Sequence, residues 1–294
     1  MSISPIIIGL TIIAFGTSAP EAVVSIIAAL EGNGDMVAGN VVGSNIINIT
    51  LVLGLTVVVA PIVVEKEVAN RDIIFALGAS VLMLLLISER WFGGDGGSVI
   101  SRLDGGIILG GLLFYMYYIF KKGKRAKSIT MDETAKVEST EEGGQFGWTR
   151  LIVVLIIGLV GIVAGGELVV SSATEIAVAL GMSQALVGLT IIALGTSLPE
   201  LVTSVMAAFK GETEMAMGNL IGSNIFNILL VTGLASSIMP LDVTGVIAFD
   251  IILMILVTVT LFIFARTGYR LRRTEGIVLV AIYLVYFVYI ILRG

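Results

Sequence analysis

Two stretches of the chain repeat each other. "GLTIIAFGTSAPE" from Gly9 recurs as "GLTIIALGTSLPE" from Gly188, and "GNVVGSNIINI" from Gly39 recurs as "GNLIGSNIFNI" from Gly218. The offset is constant from Gly9 to Leu55, and well over half of those positions are identical. A duplication this long makes the repeat the first constraint on the fold. The second is apolar length. The chain is 57% hydrophobic and 13% charged over 294 residues. Its long apolar runs match a hydrocarbon core of about 30 Å, which takes about 20 helical residues to cross. The short alternating pattern of a membrane barrel is absent, so the spans are expected to be helices.

Nine apolar segments are predicted: 5–29, 36–60, 71–88, 104–120, 150–172, 185–209, 215–239, 246–265 and 275–292. Five segments separate each motif from its copy. That number is odd, so the copies face opposite ways across the membrane. Inverted repeats place a binding site near the midplane of a secondary transporter. The expected fold is therefore an all-α polytopic membrane protein. It is built as an inverted repeat of helical bundles with broken helices at the midplane, about nine transmembrane helices in all. The repeats are expected at 1–121 and 149–294, with 122–148 a flexible cytoplasmic linker. A complete pair would hold five segments each; four plus five are present, so the first repeat is expected to lack its first helix.

Basic residues set the expected orientation. "KKGKRAK" follows the fourth segment and "ARTGYRLRR" lies between the eighth and ninth. Both belong in the cytoplasm. This places Met1 inside and Gly294 outside a multi-pass protein of the cell membrane. Ser2-Ile3-Ser4-Pro5 lacks a basic start, so the N-terminal run is read as a span, not a leader.

The chain has no Cys and no His. Thiol chemistry, disulfides, haem and His or Cys metal sites are excluded. A bound metal must be held by oxygen, which favours hard cations. No cofactor is expected, nothing favours nucleic acid, and the chain is read as a monomer in a lipid bilayer.

The repeated motifs carry the chemistry. Pro20 has no N–H for the carbonyl of Gly16, and Gly16 weakens the same turn, so the helix should kink or break there. Pro199 and Gly195 repeat the device. Irregular backbone survives at membrane depth where it lines a cavity or is buried in protein. Thr17, Glu21 and Ser25 share one helical face, with Ala14 on it; Asn40, Ser44 and Asn48 share another. The copies are Thr196, Glu200 and Ser204, then Asn219, Ser223 and Asn227. Alone, the Asn and Ser stripes would serve equally well as interhelical glue. No Lys or Arg lies in these four segments to pair with either glutamate. Two carboxylates with neutral oxygens suit calcium, which takes about six to eight oxygens. Ionised and empty, they would be costly at that depth. Glu31 and Asp35 are expected as solvated loop residues, Glu167 as a structural or entrance residue, and the tyrosines as packing or lipid-facing residues.

At these motifs the sequence resembles the cation/calcium exchanger superfamily, most closely the prokaryotic sodium/calcium exchangers. The resemblance implies alternating-access antiport of calcium against sodium or protons. It implies calcium ligation by the carboxylates of Glu21 and Glu200 and backbone oxygens of Thr17 and Thr196. It adds sodium sites using Ser18, Ser197, Ser44, Ser223 and the carbonyls of Ala14 and Ala193. Asn48 and Asn227 would complete the central layer. In the family, the first helix of the first repeat and segment five slide across a rigid core. Archaeal exchangers of this type can carry Asp at the position of Asn227, so the Asn here leaves stoichiometry and proton coupling open. The linker is too short for the calcium-sensing domain of some eukaryotic relatives. The alternatives are calcium/proton exchange and, from another class, a passive cation channel or membrane sensor. An enzyme is not expected, because no nucleophile–base pair is present.

Overall fold

The computed structural model describes residues 5–88, 97–133 and 181–293, with isolated positions between 153 and 175. Most of the predicted fifth segment, Glu167 and the end of the linker lie outside these. Among the described residues six helices are long and apolar enough to cross a membrane: Gly34–Val59, Val68–Ile87, Arg102–Lys121, Thr213–Ile238, Val246–Arg266 and Arg273–Arg293. Two bent pairs bring the number to eight if each pair is one crossing. They are the predicted first and sixth spans, Ile6–Thr17 with Ala19–Leu30, bent by 40°, and Ala185–Thr196 with Leu198–Phe209, bent by 41°.

The break falls at Ser18 and Ser197, two residues beyond the glycines where it was expected. Both serines leave helical geometry, with φ near −81° and ψ near 2°. Proline explains the offset. It is tolerated in the first turn of a helix, so each motif starts a new helix that carries Pro20 or Pro199 in its first turn. The serine before that turn takes the bend.

The second and seventh spans form the centre. Their apolar windows are 83% and 78% buried, against 28% for the fourth and the ninth. Each packs on the bent, motif-bearing span of the opposite repeat. The seventh lies along Ile6–Thr17, and the second along Ala185–Thr196. Glycine permits this approach. A Cβ on Gly43 would stand 2.7 Å from the Ala193 Cβ, and one on Gly222 the same distance from the Ala14 Cβ. The third and eighth spans pack on each other, the fourth on the end of the seventh, and the ninth on the end of the second.

Two short antiparallel ribbons join the repeats at the span ends, an addition to the expected all-helical fold. Ile62–Val63 pairs with Arg270–Leu271, and Gly97–Ile100 with Leu241–Thr244. Asp35 belongs to the second junction. Its carboxylate accepts the Thr244 backbone N–H at 2.7 Å, so this half-exposed residue is also a tether, in the first turn of Gly34–Ile47 and not in a loop. Glu31 is exposed, as expected. The fourth helix continues to Glu133, so the stretch from Lys122 to Glu133 that was read as linker is helical. Lys, Arg and Ala are good helix formers, and the one glycine there does not stop a helix already nucleated by the span.

Candidate cation site between the repeats

Glu21 and Glu200 are fully buried, and so are Asn48, Asn227, Ser44, Ser223, Ala14 and Ala193. Thr17, Thr196, Ser18 and Ser197 are at most 5% exposed. All twelve predicted positions are therefore inside the protein.

The repeats meet through their hydroxyls. The Thr17 hydroxyl donates to Asn219 Oδ1 at 3.1 Å and lies 3.2 Å from Ser223 Oγ. In the mirror arrangement, Thr196 donates to Asn40 Oδ1 at 3.2 Å and lies 3.4 Å from Ser44 Oγ. Ser44 also reaches the Ala193 carbonyl at 3.4 Å. Asn40 Nδ2 then donates to Ser25 Oγ at 3.0 Å, and Asn219 Nδ2 to Ser204 Oγ at 3.1 Å. Each asparagine thus links a threonine of the opposite repeat to a serine of its own. Asn40, Asn219, Ser25 and Ser204 hold the site's walls together; they are the helix glue that the sequence left open for these stripes.

The carboxylates are treated differently. Both oxygens of Glu21 and both of Glu200 have no hydrogen-bond partner in the protein. The same holds for the side chains of Asn48, Asn227, Ser18 and Ser197. Buried polar atoms normally find partners. Among the twelve predicted positions the unpartnered oxygens are four from carboxylates, two from amides and two from hydroxyls, drawn equally from the two repeats. Thr196 stands beside Glu21, while Thr17, Ser18 and Ser223 stand beside Glu200. The two carboxylates are close enough to repel. Among the described residues no cluster of three or more acidic side chains could hold a metal. The donor set is thus two anions surrounded by neutral oxygens, and it fits a hard cation as cargo.

Sequence reasoning missed two features. Five-residue π-helical turns run Gly9–Ile13, Asn48–Val52, Gly188–Ile192 and Asn227–Val231. Such turns often mark functional sites. Two of them begin at Asn48 and Asn227, where the extra residue re-aims the helix below the site. The second feature is a pair of buried carboxylates away from the site. Asp72 takes Arg71 Nε at 2.8 Å and Nη2 at 2.7 Å, and the Tyr115 hydroxyl at 3.3 Å. Asp250 takes Arg293 at 3.2 and 2.9 Å, and the Tyr286 hydroxyl at 3.1 Å. Tyr115 and Tyr286 are thus more than packing residues: they complete buried polar clusters. A lone Asp within an apolar run was the available signal for Asp250.

Residues 1–121 and 150–292 match the sodium/calcium exchanger protein family. The chain is 38% identical over 291 residues to a putative antiporter, CaxA, of Alkalimonas amylolytica, covering 97% of this chain and 88% of that one. It is 32% identical to the sodium/calcium exchanger MaX1 of Methanosarcina acetivorans, covering 98% and 89%. Its fold matches the sodium-calcium exchanger NCX_Mj, in a crystal soaked with sodium and strontium, at a TM-score of 0.75 and 32% identity, over 97% of this chain and 87% of that one. The match spans both repeats and their motifs, and the chain belongs to the sodium/calcium exchanger family of transporters.

Proposed function

We propose that this chain is a secondary active antiporter that exchanges calcium for sodium across the membrane by alternating access. The observation that carries the reading is the four unpartnered carboxylate oxygens of Glu21 and Glu200, buried where no Lys or Arg of their spans can neutralise them. A buried anion without a protein counter-charge is costly unless a cation joins it. Two such charges suit one calcium ion or two or more sodium ions. Because both cargoes need the same oxygens, they exclude each other, and that exclusion couples the fluxes.

Thr17 and Thr196 would add backbone oxygens to calcium. Ser18, Ser197, Ser44, Ser223 and the carbonyls of Ala14 and Ala193 would form the sodium positions, and Asn48 and Asn227 would close the central layer. The two repeats, 1–121 and 149–294, are joined by 122–148 on the cytoplasmic side, with the N-terminal end of the chain inside and the C-terminal end outside. The protein works as a monomer.

The test is calcium uptake into sealed proteoliposomes. Uptake driven by an outward sodium gradient, and absent without sodium, supports the reading. Uptake driven by a pH gradient alone in sodium-free buffer would instead assign proton coupling through Glu21 and Glu200. Unitary currents in a planar bilayer would replace exchange by a channel.

A further inference from the structure

The two halves of the site differ along one line. Asn224 and Thr232 are each 1% exposed, and neither the Asn224 amide nor the Thr232 hydroxyl has a hydrogen-bond partner in the protein. Asn227, between them, is unpartnered as well. All three sit on the seventh span. Three residues of α-helix separate Asn224 from Asn227, and the π-turn Asn227–Val231 separates Asn227 from Thr232. An i→i+5 turn returns Thr232 over Asn227, and an i→i+3 step keeps Asn224 on the same side. The result is one polar stripe about two turns long, continuing from the ion site toward the Ile238 end of the span.

The first repeat has the same helix without the stripe. Asn45 is the counterpart of Asn224, and its Nδ2 donates to the Val41 carbonyl at 2.7 Å. Leu53 is the counterpart of Thr232, and it is fully buried. The line that stays polar in the second repeat is thus closed by a leucine in the first.

We propose that Asn224, Asn227 and Thr232 hold ordered water continuous with the cation site, so that one of the two paths out of the site is hydrated and its inverted partner is dry. The ligand is identified by what the groups need. Asn224 offers an NH₂ that requires an acceptor as well as an oxygen that requires a donor, and Thr232 a hydroxyl that does both. A cation satisfies no donor, and no carboxylate on the stripe would compensate one. Water satisfies every group. This part of the seventh span packs against Ala19–Leu30 and the fourth span, so the water lies between the repeats' contact surface and the outer helices. A cation leaving by this side recovers its hydration shell stepwise, whereas on the other side the position of Thr232 is taken by the apolar Leu53.

The side-specific consequence rests on the exchange reading; the water does not. The test therefore has two arms, both on the full chain. An experimental structure is expected to show water within hydrogen-bond distance of Asn224 and Thr232. In proteoliposomes, Thr232→Val, which keeps the shape and removes the hydroxyl, is expected to shift calcium half-saturation by about fivefold, the worth of one neutral hydrogen bond, on the Ile238 side only. Thr232→Ser should restore it. A dry Asn224–Thr232 stripe, or a Thr232→Val protein with unaltered half-saturation on both sides, overturns the proposal. If the unaltered chain binds calcium but does not exchange it, the exchange reading fails while the water arm still decides the stripe.

Discussion

Four carboxylates are fully buried within the described spans, and they fall into two kinds. Asp72 and Asp250 each meet an arginine and a tyrosine hydroxyl. Glu21 and Glu200 meet no cationic partner; only neutral hydroxyls, of Thr196 and of Thr17, Ser18 and Ser223, stand beside them. The difference teaches how to tell architecture from function in a membrane protein. An aspartate whose charge is cancelled by the chain itself fastens one helix to another. A glutamate whose charge the chain leaves open awaits something that diffuses in. The distribution agrees: the aspartates sit at the ends of outer spans, the glutamates beside the bends of the first and sixth spans.

The largest expected effect breaks the open pair. Glu21→Gln or Glu200→Gln removes one of two charges from a divalent ion. A unit pair at 4 Å is worth about 4 kcal/mol at an effective dielectric constant near 20. Calcium affinity, read by uptake against calcium concentration, should fall on the order of 100- to 1000-fold in either protein. A Glu200→Gln protein with near-normal uptake would show that the charge was not open to a cation.

Breaking the closed pairs should do the reverse: lower stability and leave affinity alone. Asp250→Asn leaves Arg293 with a buried face and no counter-charge, and disrupting such a pair costs about 3–5 kcal/mol. Asp72→Asn should cost less, because Arg71 retains Glu67 at 3.4 Å. Thermal unfolding in detergent should rank Asp250→Asn below Asp72→Asn and both below the unaltered protein. The folded fraction should keep its calcium half-saturation. A shifted half-saturation at unchanged stability would move these aspartates into the transport machinery.

A smaller effect sharpens the symmetry of the site. Thr17→Val leaves Asn219 Oδ1 without its donor, whereas after Thr196→Val the Asn40 Oδ1 still accepts the Ser44 hydroxyl at 3.4 Å. An orphaned buried acceptor costs about 1–3 kcal/mol. Exchange rates should fall further in Thr17→Val than in Thr196→Val. Equal losses would show that the Ser44 hydroxyl does not replace the lost donor.

How much of this was legible follows from the same contrast. Glu21, Glu200 and their hydroxyl and amide neighbours stood out because the motif is duplicated and because proline and glycine interrupt an apolar run. Helix periodicity placed Thr17, Glu21 and Ser25 on one face. Asp72 went unremarked because Arg71 beside it makes the pair look like a span boundary, and Arg293 reaches Asp250 from another helix, which no local pattern encodes. The π-turns were also hidden. An inserted backbone residue has no composition of its own, and only the repeat could have flagged it. Asp35 looked solvated because its partner, the Thr244 N–H, belongs to a ribbon formed by segments far apart in sequence.

The smallest expected effect lies outside the membrane. Burial and the neighbouring carboxylates of Glu214 and Glu67 raise the Glu65 carboxyl above its usual range. Its protonated form is therefore favoured in the folded protein. The stabilisation is complete below the ordinary glutamate range and is lost as pH rises through the raised value. Glu65 is partly exposed to solvent, so screening keeps the effect slight. Melting temperature against pH should flatten slightly in Glu65→Gln, with calcium affinity unchanged; a steeper profile would reverse the assigned sign.

The central claim is that Glu21 and Glu200 serve one site shared by two repeats. Calcium binding to the purified protein, titrated by calorimetry for Glu21→Gln, Glu200→Gln and the double variant, tests it most directly. A shared site predicts that each single substitution abolishes high-affinity binding and that the second adds little, since residues acting as a unit are not additive. Retention by each single variant of half the bound calcium at the original affinity, lost only in the double variant, would contradict the account by showing two independent sites.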